Sequence, residues 1–125
     1  MNSLARNPKV LIVDDETDIR FLLNNILKQK NLQTVFASSL SEAENIIQNK
    51  DSFSYIFLDN YLPDGLGVNY IRKIKNKYPD TKVVMITAHD NLADREKASE
   101  EGADFFIGKP FSRDLILQTL DRLAV

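Results

Sequence analysis

The chain has 125 residues, of which 43% are hydrophobic and 27% are charged, a composition typical of one folded globular domain. Its 16 lysines and arginines against 18 aspartates and glutamates give a formal net charge of −2, which argues against a strongly basic nucleic-acid-binding protein or a membrane-surface protein. Cysteine is absent and His89 is the only histidine, so the sequence excludes disulfides, a thiol nucleophile and metal centres built from cysteine or several histidines.

Five short apolar runs, rich in β-branched and aromatic residues, predict strands that are buried on both faces. In chain order these runs are residues 10–13, 33–36, 55–58, 83–86 and 105–107, of which the second is the weakest. None of them is long enough to span a bilayer.

Four of the five predicted strands are followed by a segment in which apolar residues recur at helical spacing. The stripes are Ile19, Leu22, Leu23, Ile26 and Leu27; Leu40, Ala43, Ile46 and Ile47; Val68, Ile71, Ile74 and Tyr78; and Leu115, Ile116, Leu120 and Leu123. Ser39 with Glu42 is typical of a capping box, and Pro79 is expected to end the third helix. The segment 91–101, ended by Gly102, has no large apolar stripe, so we expect this helix to dock weakly.

Five repeats of strand and helix predict an α/β fold in which helices cover both faces of a parallel sheet. In such sheets the functional crevice lies beyond the carboxyl ends of the strands. The residues that follow the predicted strands are Asp14-Asp15-Glu16, Ala37-Ser38, Asp59, Thr87-Ala88 and Lys109-Pro110. Each of these groups alone is an ordinary cap, turn or surface residue. Together they bring carboxylates, a hydroxyl and an ammonium group to one edge of the sheet.

The chemistry of such a cluster is restricted. Carboxylates that lie close together must take up protons or recruit cations. Lys109 supplies one positive charge, and Mg²⁺ fits the remainder because it prefers oxygen ligands and commonly takes one or two carboxylates. A carboxylate that is not fully engaged with metal can act as a nucleophile toward phosphorus and form an aspartyl phosphate. Phosphoryl transfer otherwise needs mainly positioning and charge neutralisation.

Taken together, these motifs resemble the receiver domain of bacterial two-component response regulators. The matching segments are VLIVDDE at 10–16, DNYLPDGLG at 59–67, MITA at 85–88, and GAD at 102–104 through KPF at 109–111. The resemblance implies a flavodoxin-like three-layer sandwich with five helices and a five-stranded parallel sheet of order 2-1-3-4-5. It also implies that residues 1–125 form a single receiver domain with a core of about residues 9–123.

The resemblance assigns roles to the clustered residues. Asp59 would be the phosphoacceptor. Asp15 and Asp59 would hold Mg²⁺ through carboxylate oxygens, Tyr61 through its backbone carbonyl, and Asp14 mainly through a metal-bound water. Lys109 would pair with phosphoryl oxygens, and the peptide bond between it and Pro110 is expected to be cis.

The same resemblance implies a conformational switch. The hydroxyl of Thr87 and the adjoining Ala88 would engage the phosphoryl group, and an aromatic residue on the fifth strand, Phe106, would turn into the vacated space. Tyr61 and His89 occupy the positions that tune the lifetime of the phosphorylated state in this family, and we expect Tyr61 to shield the phosphoryl group.

The implied donor is a phosphohistidine on a histidine kinase or a histidine phosphotransfer protein. The implied target is an output domain or a separate effector, and a phosphorylation-dependent homodimer is compatible with the sequence. We expect a cytoplasmic protein that neither binds nucleic acid directly nor associates with a membrane. The basic run at 72–77 is expected to be the solvated face of a helix.

Three alternatives remain. A degenerate receiver would act as a phosphorylation-independent interaction module, but the retained Asp59, Thr87 and Lys109 argue against it. An aspartate-nucleophile phosphohydrolase usually needs an acidic residue two positions after the nucleophile, where this chain has Tyr61, so we expect no small-molecule turnover. A nucleotide- or flavin-binding module would need a glycine-rich loop after the first strand, and this chain has acidic residues there.

Overall fold

Strands and α-helices alternate along the chain, as the sequence predicts. The structure is a computed structural model that describes residues 9–49 and 52–123. The strands of the main sheet are β1 (Lys9–Val13), β2 (Gln33–Ala37), β3 (Tyr55–Asp59), β4 (Lys82–Thr87) and β5 (Phe105–Gly108). The helices are α1 (Thr17–Lys28), α2 (Leu40–Asn49), α3 (Ile71–Lys77), α4 (Leu92–Glu101) and α5 (Arg113–Leu123). Every predicted strand is present, and each extends one or two residues beyond its predicted bounds.

The main sheet is entirely parallel and has the strand order β2-β1-β3-β4-β5, which confirms the predicted order. At its carboxyl edge Val13 pairs with Leu58, and Thr87 pairs with Gly108. Since parallel strands all run in the same direction, the residues that follow them emerge at this one edge.

Helices cover the sheet on both faces, which confirms the three-layer sandwich. On one face α2, α3 and α4 contribute the buried residues Ala43, Ile47, Ile71, Ile74 and Ala98. On the other face α1 and α5 contribute Leu23, Ile26, Leu27, Ile116 and Leu120. The two-sided burial explains why the strands are continuously apolar rather than alternating. No helix within the described ranges has both the length and the apolar character needed to cross a bilayer.

The region of the predicted third helix differs from the prediction. The apolar stripe that begins at Val68 divides into a 3₁₀ helix, Gly67–Tyr70, and the shorter α3. A hairpin of two-residue strands, Tyr61–Leu62 and Gly65–Leu66, comes before it and was not predicted. Apolar spacing does not distinguish a 3₁₀ turn from the first turn of an α-helix, because both bury residues three positions apart.

The predicted stripe of α1 is wrong at one position. Leu22 is 42% exposed, whereas Leu23, Ile26 and Leu27 are buried. Successive helical residues point about 100° apart, so a stripe centred on those three side chains leaves Leu22 at the solvent boundary.

The capping pattern predicted for α2 is shifted by one residue. The backbone N–H of Glu42 donates to Ser39 Oγ at 3.1 Å, as a capping box requires. The Glu42 carboxylate, however, accepts from the N–H and the hydroxyl of Ser38, at 2.6 and 2.8 Å.

Helix α4 docks through little apolar surface, as its sequence predicts. Its only buried residue is Ala98. Asn91 caps the start of the helix by accepting the N–H of Asp94 at 2.9 Å, and Gly102 ends it with a left-handed φ of 112°.

Candidate functional site

The carboxyl ends of four strands surround one basin with the predicted side chains. Asp14 follows β1, Asp59 ends β3, Thr87 ends β4 and Lys109 follows β5. Asp14 and Thr87 are fully buried and Asp59 is only 4% exposed, whereas Asp15 lies exposed at the rim. Four buried polar groups at one sheet edge are costly to a fold and are typical of a functional site.

Three carboxylates form an acidic cluster in this basin. Asp14, Asp15 and Asp59 each place one oxygen within 4.8 Å of the others. Asp14 Oδ1 accepts the N–H of Glu16 at 2.8 Å, whereas the buried Oδ2 faces the Lys109 ammonium at 2.9 Å without a well-aligned hydrogen bond from the described residues. Buried carboxylates that lie this close together are stabilised by cations, and Lys109 supplies a single positive charge. The all-oxygen donor set and its excess of negative charge therefore fit Mg²⁺.

Lys109 lies beside this cluster and is 8% exposed. Its Nζ is 2.6 Å from Glu16 Oε1, 2.9 Å from Asp14 Oδ2 and 3.5 Å from Asp59 Oδ2. The peptide bond that follows it, to Pro110, is cis, as the family resemblance implies. The ammonium group is thus shared, and its shortest contact is to Glu16, a residue outside the acidic cluster.

The electrostatics of the basin favour an added cation. Burial, together with the nearby charge of Asp14, raises the pKa of Asp59 to about 6. Burial also raises the pKa of Asp14, against the opposing effect of its hydrogen bonds with Lys109 and Glu16. Burial lowers the pKa of Lys109, but its hydrogen bonds to Glu16 and Asp14 outweigh this effect and raise the pKa above its ordinary value. One ammonium group therefore faces several carboxylates and cannot neutralise them alone.

Thr87 lies at the end of β4, the strand adjacent to the one that ends at Asp59. Its Oγ1 accepts the backbone N–H of His89 at 3.1 Å, and its carbonyl accepts the N–H of Lys109 at 2.8 Å. Ala88 and His89 follow it in an exposed turn. Because side chains alternate along a strand, Thr87 shares a sheet face with Met85, which packs in the core beneath α2, α3 and α4.

Phe106 on β5 is half-buried and packs against the same core. The guanidinium carbon of Arg95 lies 4.8 Å from the centre of its ring. Arg95 is in turn held by two hydrogen bonds to Asp90, at 2.6 and 3.0 Å. A Cβ atom at Gly108 would lie 2.7 Å from Asp90 Oδ2 and 3.0 Å from Asp90 Cβ, so a larger residue there would require Asp90 to move. The predicted switch residue is therefore covered by an arginine of α4.

Tyr61 and His89 form a contact over the gap between β3 and β4. Their ring centroids are 4.4 Å apart. The Tyr61 hydroxyl donates to Asp94 Oδ2 on α4 at 2.9 Å, and its backbone N–H donates to Asp59 Oδ1 at 3.4 Å. Tyr61 thus connects the end of β3 to α4, through its backbone at Asp59 and its side chain at Asp94.

The loop that carries Tyr61 is fixed at several points. Asn60 accepts the N–H groups of Gly67 and Val68, at 2.7 and 2.9 Å. A side chain at Gly67 would overlap the carbonyl oxygen of Asp59, so this position requires glycine. Both carboxylate oxygens of Asp64 accept N–H groups from the first turn of α2, at 2.9 Å each. This loop is therefore tied to the core and to a neighbouring helix.

The structure brings Asp14, Asp15, Asp59 and Lys109 together in the basin, sets Thr87 at the end of the adjacent strand, and leaves Phe106 apart from them beneath Arg95. It also shows contacts that the sequence reasoning missed. Glu16 contacts Lys109, Asp94 contacts Tyr61, and Arg95 covers Phe106. The signal for Glu16 was its place directly after the acidic pair. The partners of Asp94 and Arg95 lie on other elements, and nothing in the local pattern of a polar helix distinguishes these two residues from their solvated neighbours.

A five-stranded parallel sheet with an acidic, lysine-containing basin at its carboxyl edge places the protein among flavodoxin-like α/β domains with a candidate magnesium site. The family model described as the response regulator receiver domain matches residues 10–121, and the chain belongs to this family of two-component signal-transduction proteins.

Individual relatives agree with this assignment. The chain is 39% identical over 102 residues to the response regulator protein PilR of Pseudomonas aeruginosa, covering 82% of this chain and 23% of that protein. It is 38% identical over 106 residues to the phosphate regulon transcriptional regulatory protein PhoB of Escherichia coli, covering 83% and 46%. The solution structure of the beryllofluoride-activated NtrC4 receiver domain dimer superposes with a TM-score of 0.86 at 40% identity, covering 92% of this chain and 94% of that one. The chain therefore spans less than half of the length of either curated relative.

Proposed function

We propose that the protein takes a phosphoryl group from a phosphohistidine onto Asp59 and changes conformation in response. One observation carries this proposal: Asp59 lies at a strand end, in an acidic cluster with Asp14 and Asp15 and within 3.5 Å of the Lys109 ammonium. Lys109 and a cation held by the cluster would neutralise charge around Asp59 and leave it available as a nucleophile.

In the transfer step a carboxylate oxygen of Asp59 attacks phosphorus, the bond from phosphorus to the donor imidazole nitrogen breaks, and the imidazole leaves with its electron pair. Mg²⁺, held by Asp14, Asp15, Asp59 and the Tyr61 carbonyl, would neutralise charge on the transferred group. The Lys109 ammonium would exchange its contact with Glu16 for a phosphoryl oxygen. Hydrolysis later restores the carboxylate and releases inorganic phosphate.

The response of the fold would pass through Thr87. Its hydroxyl and the backbone of Ala88 would bind a phosphoryl oxygen, which moves the β4–α4 turn toward Asp59. Phe106 shares the sheet face of Thr87 and would then turn inward, away from Arg95. The weak apolar docking of α4 favours repositioning of this helix rather than of a helix with a larger buried face.

The partners proposed are a histidine kinase or a histidine phosphotransfer protein as donor, and an output domain or effector as target. Residues 1–125 would act as one receiver domain in the cytoplasm, and a phosphorylation-dependent homodimer would parallel the activated NtrC4 dimer. We propose no direct binding to nucleic acid, since the basic residues Arg72, Lys73 and Lys75 are engaged with acidic side chains at 2.7 to 3.3 Å. We also propose no turnover of small-molecule substrates.

The test is incubation with acetyl phosphate and Mg²⁺, followed by measurement of the intact mass. The native protein should gain one phosphoryl group, and chelation of the metal should prevent the gain. Asp59→Asn is the matched control because it keeps the size and removes the nucleophile. A native protein that gains no mass would support a phosphorylation-independent interaction module instead, and steady release of phosphate from generic phosphomonoesters would support a phosphohydrolase.

A further inference from the structure

Tyr61 joins the phosphoacceptor loop to α4 by a single polar contact. Its hydroxyl donates to Asp94 Oδ2 at 2.9 Å. Asp94 lies in the first turn of α4, where its backbone N–H and its carboxylate are both bonded to Asn91, at 2.9 and 3.2 Å. The position of this carboxylate is therefore fixed to the start of α4, and it moves when the helix moves.

The same contact determines where the Tyr61 ring lies. The ring packs on His89, whose backbone N–H is bonded to Thr87 Oγ1. Tyr61 follows Asp59 by two residues and His89 follows Thr87 by two residues, so the ring pair bridges the ends of two adjacent strands. The backbone N–H of Tyr61 donates to Asp59 Oδ1 at 3.4 Å, so the ring pair starts from a residue that is bonded to this carboxylate.

Phosphorylation would affect this contact only through the position of α4. Neither the Tyr61 hydroxyl nor the Asp94 carboxylate belongs to the acidic cluster, and neither touches Lys109 or Thr87 in the described structure. The bond therefore persists when the basin fills, unless α4 itself is displaced. With Ala98 as the only buried residue of α4, that displacement has a low free-energy cost.

We propose that Asp94 is a positioning residue that holds Tyr61 over Asp59, so that the position of α4 sets the lifetime of the phosphoryl group. This inference rests on the proposed function. In the loss step water attacks phosphorus, the bond to the Asp59 oxygen breaks with its electron pair going to the carboxylate, and inorganic phosphate leaves. A partner that displaces α4 breaks the hydroxyl–carboxylate bond, uncovers Asp59 and shortens the signal. A partner that holds α4 in place prolongs it.

The experiment measures the rate of phosphoryl loss after removal of the donor, with Mg²⁺ kept in excess. Tyr61→Phe keeps the ring and removes the donor, and Asp94→Ala removes the acceptor. Each variant should lose phosphoryl about fivefold faster than the native protein, the change expected when a hydrogen bond of about 1 kcal/mol is lost. The double variant should be no faster than the faster single variant, because both changes break the same bond.

Two controls separate positioning from general destabilisation. Leu92→Ala changes a side chain of the first turn of α4 that is 70% exposed and keeps both members of the Tyr61–Asp94 pair, and it should lose phosphoryl at less than twice the native rate. Asp94→Asn keeps a neutral acceptor and should restore part of the native lifetime. The rate of phosphoryl uptake should change little in Asp94→Ala, Asp94→Asn and Leu92→Ala, since neither residue belongs to the acidic cluster.

The outcomes are distinguishable from those of the proposed function. A native protein that takes up no phosphoryl group overturns both proposals. Normal uptake with native rates of loss in Tyr61→Phe and Asp94→Ala overturns only the positioning role. Additive acceleration in the double variant, or equal acceleration in Leu92→Ala, overturns it as well.

Discussion

Helices α1 and α4 both begin directly after loops of the basin, yet they are held by different kinds of contact. Helix α1 buries Leu23, Ile26 and Leu27 against the sheet. Helix α4 buries Ala98 alone and is joined to its surroundings by polar contacts near the surface, among them those of Asp94 and Arg95.

This difference separates the parts of the site by their expected mobility. Burial of a large aliphatic side chain contributes about 1.5 to 3 kcal/mol, whereas an exposed polar contact contributes about 1 kcal/mol or less. The residues that would perform the chemistry follow the rigid strands β1, β3 and β5. The β4–α4 turn and helix α4, which would respond to phosphorylation, are held mainly by polar contacts. The molecule thus combines a preorganised basin with one helix that small free energies can move.

The largest expected effect tests this comparison directly. Leu27→Ala on α1 removes a fully buried side chain and should lower the free energy of unfolding by about 2 to 5 kcal/mol. Leu92→Ala on α4 is its matched control, because Leu92 is 70% exposed and its loss should change stability by less than about 0.5 kcal/mol. Urea unfolding measures both values. Similar losses in the two variants would show that α4 is docked as firmly as α1.

The second prediction concerns the negative charge of the Asp59 carboxylate in the basin. The pKa of Asp59 is raised to about 6 by burial and by Asp14, above the value of about 3.9 expected in the unfolded chain. The folded state therefore binds the Asp59 proton more tightly than the unfolded state. Between about pH 4 and pH 6 the unfolded chain has already lost this proton, whereas the folded protein still holds it. The free energy of unfolding therefore falls as the pH rises through this range.

Asp59→Asn removes this charge and should raise the free energy of unfolding at pH 7.5, without metal, by about 1 to 3 kcal/mol. The gain should shrink as the pH falls from 6 toward 4, because the native carboxyl group becomes neutral there. Added Mg²⁺ should stabilise the native protein more than the variant. Asp18→Asn, an acidic residue of α1 outside the cluster, is the control and should show neither effect. A gain that is independent of pH would contradict the electrostatic cause.

Sequence reasoning identified the fold and the basin because both depend on local signals. The apolar runs at β1, β3 and β4 and the residues that end them follow one another in the chain, and the parallel sheet then places Asp14, Asp59 and Thr87 together. The contacts of α4 could not be predicted in this way. Tyr61 and Asp94 meet across two loops, and the 3₁₀ turn at Gly67 depends on the space around the Asp59 carbonyl. Such contacts arise from tertiary packing, which leaves no periodic trace in the sequence.

The smallest expected effect concerns Arg95. Its guanidinium group lies over the Phe106 ring and is held there by Asp90. A cation–π contact of this kind contributes about 0.5 to 1 kcal/mol at an exposed site, and it is available only while the ring points outward.

Arg95→Ala should therefore favour the inward position of Phe106 and accelerate uptake of phosphoryl from acetyl phosphate by about two- to fivefold. Arg72→Ala is the matched control, because Arg72 also contacts α4, at Glu101, but does not cover the ring. Unchanged uptake in Arg95→Ala would contradict the contact's role in holding Phe106 outward. The loss of either arginine weakens the polar contacts of α4, but only Arg95→Ala uncovers the Phe106 ring. Equal acceleration in both variants would therefore assign the effect to looser docking of α4.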